Sequence, residues 1–441
     1  MIVASIKPKG KLDRKSQVSK VNFEKPEKFV IKELQEIKTK LCEKKDELDE
    51  TDDAIFNKLA YTIDFSRMIK QTLRTQYNAQ VVTNAFTKMM ELMTAFENKF
   101  IQDPDQKTFT SFSIAEAPGA FIPAMNHFVS TKRPVIQSFD WFAESYIDRP
   151  IDVILSEDPY HVKRTPDGPN YLRDDYHLMR NYQSRWLFGP NKDSHGDIMN
   201  PENIKYFKEK LPKHKIDLIT ADGGLDVSSD FNEQETLTAK LIFSEIIAGL
   251  YILPKGKSLI VKAYTIFESS LLSYVYLLYL MFDEISIVKP MTSRPANSEV
   301  YFVCNGYIGP DDPDKFFEMA FKYMTSNFEP LGSIFNKKDI DPTFIKSMID
   351  FSTFMSDQQI KYLDRIMRYY NKYGTNIDGA RTESQKETIE FKNTWFNTYK
   401  PTYLPHNKHL KVFEYFKQKR TPQHKRRYHK GGHHYYTRHT K

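Results

Sequence analysis

Cysteine is nearly absent: Cys42 and Cys304 are the only two in 441 residues, and they lie far apart in sequence. That excludes a disulfide framework and a cysteine zinc site, and makes a reducing compartment the natural setting. Long apolar runs are missing too. The most apolar stretch, Leu271 to Phe282, is shorter than the roughly 20 residues a bilayer span requires, so a buried helix is expected there and no membrane partner. The N-terminal MIVASIKPKGKLDRK has no apolar core of signal-peptide length. Acidic residues also run out, with none after Glu414.

What is present is globular in balance: 40% hydrophobic and 14% aromatic residues, so disorder can only be local. The formal charge of +7 suits a polyanionic partner without establishing one. Residues 1–30, lysine-rich and without periodicity, read as a basic arm or linker. Residues 31–76 read as a helical region, with Leu34, Ile37 and Leu41 at helical spacing. A further helix is expected over Asn78 to Asn98, where Val82, Phe86, Met89, Leu92 and Met93 share a face. Residues 311–415 look helical again. The tail, 416–441, gathers lysine, arginine, histidine and tyrosine. It reads as disordered, either an RNA-binding arm or a solvated tail. Its histidines lack a carboxylate or cysteine to complete a site, and no metal is expected.

Between these additions, short apolar runs alternate with helical segments. Phe112 to Ala115, Lys215 to Ala221 and Ser258 to Lys262 are strand candidates, followed by Ile285 to Val288 and Glu299 to Val303. Such alternation predicts an α/β protein with a Rossmann-like doubly wound sheet carrying helical N- and C-terminal additions. Residues 139–214 break the pattern and read as strands with long loop insertions near the ligand edge. In a doubly wound sheet ligands bind beyond the carboxyl ends of the strands. Glu116-Ala117-Pro118-Gly119-Ala120-Phe121 follows the first strand as a tight turn that opens a helix, where backbone and helix N-terminus can approach a ligand. Asp222 ends the second strand and Lys262 the third. Glu299 opens an antiparallel return strand and so reaches the same edge.

Those segments, AEAPGAFIPAMNHF (115–128), WLFGPNKDSHGDIMNPENI (186–204), DLITADGG (217–224), LIVKAYTIF (259–267) and KPMTSRPANSEVYFVC (289–304), resemble the FtsJ-like (RrmJ-type) ribose methyltransferases. The similarity is greatest to the branch that methylates mRNA caps, especially at the second nucleotide. NAQVVTNAFTKMMEL (78–92) is similar to the stretch that carries the family's first lysine and to FtsJ-like proteins of large cytoplasmic DNA viruses. The resemblance covers about residues 77–308 and implies a methyltransferase domain over 77–310. It implies a catalytic tetrad of Lys88, Asp222, Lys262 and Glu299, and S-adenosyl-L-methionine as cofactor. It implies capped RNA as substrate, the capping or transcription machinery as candidate partner, and a cytoplasmic or virion setting with the nucleus left open. Residues 116–121, Asp197 and Asp222 would contact the cofactor, and Asp140 would reach its ribose or be a loop carboxylate. Ala120 stands where many members carry a second glycine, as it does in the capping branch.

The chemistry agrees with that implication. A ribose hydroxyl is a poor nucleophile because it holds its proton tightly, and a lysine can accept the proton only when neutral. A second cation, Lys88, and partial burial are expected to lower the Lys262 pKa. Arg294 is expected to contact RNA phosphate or to stabilise its own loop. Two rivals remain: a ribosomal RNA ribose methyltransferase, and a non-catalytic RNA-binding or virion protein that retains the fold.

Overall fold

The computed structural model describes residues 1–7, 13–157, 172–191, 193–225 and 232–413. The basic tail lies outside the described residues. Eight strands form one mixed sheet: β1 (Ile2–Ile6), β2 (Thr108–Ile114), β3 (Ser138–Glu144), β4 (Trp186–Leu187), β5 (Leu218–Ala221), β6 (Ser258–Ala263), β7 (Phe282–Lys289) and β8 (Val300–Tyr307). Their spatial order is β1-β7-β8-β6-β5-β2-β3-β4. From β6 through β4 every pairing is parallel, while β8 returns antiparallel to both β6 and β7. The chain leaves β2 towards β3 and later leaves β5 towards β6. The β2–β5 boundary is therefore the switch point where a ligand crevice forms.

The apolar strands have both faces buried, as a sheet clothed on two sides requires. Alternation sorts their side chains: Leu259 and Val261 join the core under the Gln234–Ile252 and Ser269–Met281 helices, and Ile260 joins the opposite core with Phe86 and Met89. The Leu271 stretch is the helix Ser269–Met281, buried at every position, which explains why it is apolar all round. No helix among the described residues is long and apolar enough to cross a membrane.

Three expectations are corrected. Residues 2–6, read as part of an arm, form an edge strand paired with β7 from Ile2↔Lys289 to Ile6↔Ile285; their β-branched residues suit that half-covered position. The helix expected from Asn78 starts at Asn84, because Asn78 and Val81 adopt left-handed backbone and the Thr83 side chain caps the helix by accepting from Phe86 N–H. Among the described residues of the segment 139–214, the two-residue β4 is the one strand beyond β3, together with the helices Ile151–Ser156, Leu178–Asn181 and Pro201–Lys210. The helical additions are not loosely attached: Trp395 and Tyr399 lie in the core beside Phe86, and Phe344, Met348 and Phe351 lie in the other.

Candidate active site

Period-two alternation aims the relevant side chains at one place. Lys262 follows Ile260 on the face turned towards the Asn84–Ala95 helix, and in the β6–β8 register it lies opposite Tyr301. Lys88, one turn into that helix, donates to Glu299 Oε1 at 2.8 Å and to the Tyr301 hydroxyl at 3.0 Å. Tyr301 in turn donates to Asp222 Oδ1 at 2.9 Å. Asp222 lies 3.1 Å from Lys262 Nζ through that same oxygen, and its backbone carbonyl accepts from the ammonium at 2.9 Å. All four charged residues expected from the sequence are thus joined in one chain of contacts at the carboxyl edge of the sheet. Ser293 adds a bond to Glu299 Oε1 at 2.8 Å. Lys289 holds the returning loop by donating to Asn297 O and Oδ1 and to Glu299 O.

The electrostatics differ from expectation at Lys262. Burial works to lower its pKa, but the Asp222 carboxylate, with Tyr264, Glu299 and Glu245, outweighs burial and raises it. Lys88 spends its charge on Glu299 rather than pressing on Lys262. Glu299 itself is pushed up by burial and pulled down further by the Lys88 and Lys262 ammoniums, to about 2. At this centre a different lysine is depressed: Lys289 is held at about 7 by burial, with Glu299 opposing and Lys88 assisting.

The turn after β2 has an unexpected interior. Glu116 folds back and its Oε1 accepts from the N–H groups of Ala120, Phe121 and Ile122 at 2.8, 2.9 and 3.2 Å. Ala115 N–H goes to Glu144 Oε1, Glu116 N–H to Glu144 O, Ala117 N–H to Ser145 Oγ, and Gly119 N–H to Glu116 O. The helix N-terminus is therefore closed by its own carboxyl group. A turn with its N–H groups spent does not suit a pyrophosphate, which needs free donors. It suits a cationic ligand better. From the opposite face of the sheet Glu245 accepts from Gly223 N–H at 2.8 Å, and both Glu144 and Glu245 leave Oε2 buried without a hydrogen bond. Burial raises the pKa of Glu116 and of Glu245 to about 8. Gly119, at φ +93°, holds a backbone conformation that strains any side chain, and a Cβ there would also push Leu178 Cδ2, 2.4 Å away, aside.

An edge lined by these carboxyl groups could hold a positively charged ligand such as S-adenosylmethionine, whose sulfonium and ammonium are positive. Asp197 reaches the edge: Gly196 is pressed so close to Ser145 that a Cβ would stand 2.1 Å from its carbonyl oxygen. Asp197 Oδ1 accepts from Met199 N–H at 2.9 Å, which fixes its turn. Asp140 does not reach it. It sits four residues before the carboxyl end of β3, about 13 Å along the strand, and is ion-paired with Arg185. The run SFDWFAE continues through Asp140 as strand because its aromatic residues pack on both faces. Among the described residues no group of three histidine, cysteine or acidic side chains is placed to hold a metal ion.

Residues 81–307 match the model of the FtsJ-like methyltransferases, just over half of the chain. The chain belongs to that family. It is 28% identical over 379 residues to a zebrafish protein named "Cap-specific mRNA (nucleoside-2'-O-)-methyltransferase 2", covering 84% of this chain and 48% of that one. To "Probable methyltransferase EP424R" of African swine fever virus it is 35% identical over 275 residues, covering 60% of this chain and 59% of that one. To "Uncharacterized protein L511" of Acanthamoeba polyphaga mimivirus it is 30% identical over 345 residues, 78% of this chain and 40% of that one. The chain thus spans about half the length of these relatives. The matched segment contains every residue of the Lys88–Tyr301–Asp222–Lys262 chain and Glu299.

Several participants went unnoticed in the sequence, Lys289, Glu144, Glu245, Tyr301 and Glu91 among them. Tyr301 was within reach of the argument, since it follows Glu299 by two residues and must share its face. Glu91 was not: three residues after Lys88, it is fully buried and reads like any helical glutamate until its partners are seen.

Proposed function

We propose that this chain transfers the methyl group of S-adenosylmethionine to a ribose 2′-hydroxyl of RNA, at the first or second nucleotide of an mRNA 5′ cap. The observation that carries this reading is the pair of bridges, Lys88–Glu299 and Lys262–Asp222, tied together by Tyr301 at the carboxyl edge. The cofactor, when bound, supplies a methyl group on a positive sulfonium, so the protein has only to align and deprotonate the hydroxyl. Lys262 is the group that takes the hydroxyl proton. Asp222 holds Lys262, and Lys88 and Glu299 orient the ribose. Glu116 to Phe121, Asp197 and Asp222 hold the cofactor. Much of the acceleration comes from holding the hydroxyl in line with the methyl group. Pairing two ammoniums with two carboxylates keeps the cluster near neutral, which limits the cost of burying it. The relatives named for cap methylation favour capped over ribosomal RNA.

A labelled-methyl transfer assay on two RNAs of one sequence, capped and uncapped, tests the substrate. Capped RNA is expected to be labelled at least about tenfold faster, a difference of about 1.4 kcal/mol in transition-state binding. Equal labelling would move the reading to a ribosomal type of substrate.

A further inference from the structure

The helix Arg67–Gln76 takes no part in the centre described above, yet its Lys70 reaches the helix that carries Lys88. Lys70 Nζ donates to Asn84 Oδ1, and Asn84 lies four residues, about one helical turn, before Lys88. Arg74, one turn beyond Lys70, donates to the Val82 carbonyl on the approach to the same helix. Arg294 comes from the other side. Its neighbour Ser293 is bonded to Glu299, and Ala296, two residues on, packs onto the cluster of Leu59, Ile63 and Ile366 that lies just before the Lys70 helix.

Three cations thus lie within electrostatic reach of one another beside the tetrad. Burial lowers the pKa of Lys70; Asp64 works against that, and Arg74 and Arg294 both add to it. Asp64, whose oxygens accept from Ser66 N–H and Oγ at 2.8 and 3.0 Å, brings one negative charge against three positive ones. The Arg294 guanidinium is exposed and, among the described residues, makes no hydrogen bond or ion pair. Like charges gathered at the rim of a cleft repel, and an anion placed among them removes the repulsion.

We propose that Lys70 and Arg294, with Arg74 behind them, form a subsite for a phosphate of the RNA beside the ribose that is methylated. This rests on the reading that the substrate is RNA. An ammonium has three donors, so Lys70 can keep Asn84 and still bind a phosphate oxygen. The Arg294 fork can take two oxygens at once. One phosphate fixed beside the loop that leads to Glu299 limits how the neighbouring sugar can lie against Lys262, which gives Arg294 a positioning role.

Binding of fluorescent RNA at graded salt concentrations tests the subsite. The RNA is one sequence with either a 5′-hydroxyl or a capped triphosphate end, and the variants are Lys70→Met, Arg294→Gln and both together. Each single change is expected to reduce the slope of log affinity against log salt by about 0.7, and the double change by about twice that. Lys70→Arg keeps the charge and should keep the slope. Loss on both RNAs assigns the phosphate to the chain, and loss on the capped RNA alone assigns it to the triphosphate bridge. A double variant with the parent's slope on both RNAs overturns the subsite. Arg294→Gln lies on the surface and carries the test even if Lys70→Met folds poorly. RNA bound with the expected slopes but never methylated would sink the proposed activity and leave the subsite; methylation with unchanged slopes would sink the subsite alone.

Discussion

Lys262→Ala lowers kcat by about 10² to 10⁴-fold, the span typical of losing a general base, and leaves cofactor affinity within a few-fold. The cofactor contacts proposed lie on the turn after β2 and at Asp197, whose bonds do not involve the Lys262 ammonium, and at Asp222, which loses two contacts to it but keeps its own N–H bond to Ile114 O. Lys262→Arg fails equally, because a guanidinium does not give up its proton near neutral pH. The raised pKa of Lys262 fixes the sign of the pH dependence. Below its pKa the neutral fraction of a lysine grows tenfold per pH unit, so kcat rises with unit slope from neutral to mildly alkaline pH. Single-turnover rates against pH, with cofactor binding followed by calorimetry, check both statements. A flat profile, or turnover retained in Lys262→Ala, contradicts the role given to this residue.

Glu91→Ala destabilises the fold by about 3–5 kcal/mol, because several buried donors are left unpaired at about 1–3 kcal/mol each and only some can find new partners. Its carboxyl group, fully buried, accepts from Met291 N–H, from Thr292 N–H at 3.0 Å and Oγ1 at 2.7 Å, from Trp395 Nε1 at 2.8 Å and from the Tyr399 hydroxyl at 3.3 Å. Burial raises its pKa, and these donors pull against that. The helix that holds Lys88, the loop that leads to Glu299 and the helix Ile377–Tyr399 are therefore pinned at one point. Alanine leaves the donors buried and unpaired. Trp395→Phe removes a single bond and costs about 1–2 kcal/mol. Urea denaturation of the two variants measures the difference. Equal and negligible losses would show that the C-terminal helix contributes little to holding the centre.

The site was legible where the chain's periodicity decides direction. A lysine that ends a parallel strand and a glutamate that opens an antiparallel return must reach one edge, and the register of β6 with β8 places Lys262 opposite Tyr301. The sheet and the ligand edge beyond its strand ends followed from the same alternation. What escaped depends on tertiary neighbours. Asp140 sits at the start of an apolar strand rather than its end, because where a strand starts and stops is set by pairing with β2. Ile2 to Ile6 needed β7 beside them to become a strand. The spent N–H groups of the turn at Glu116 and the raised pKa of Lys262 follow from which partner lies nearest, and composition does not carry that.

Nuclease digestion and mass spectrometry of capped RNA, after incubation with S-adenosylmethionine, test the central claim most directly. RNAs should carry either 2′-hydroxyl or 2′-hydrogen sugars at the first two nucleotides. The account predicts one added methyl group on a ribose of one of these nucleotides, and none when that hydroxyl is replaced by hydrogen. A methyl group on a base, or addition that persists on the doubly deoxy RNA, would contradict it.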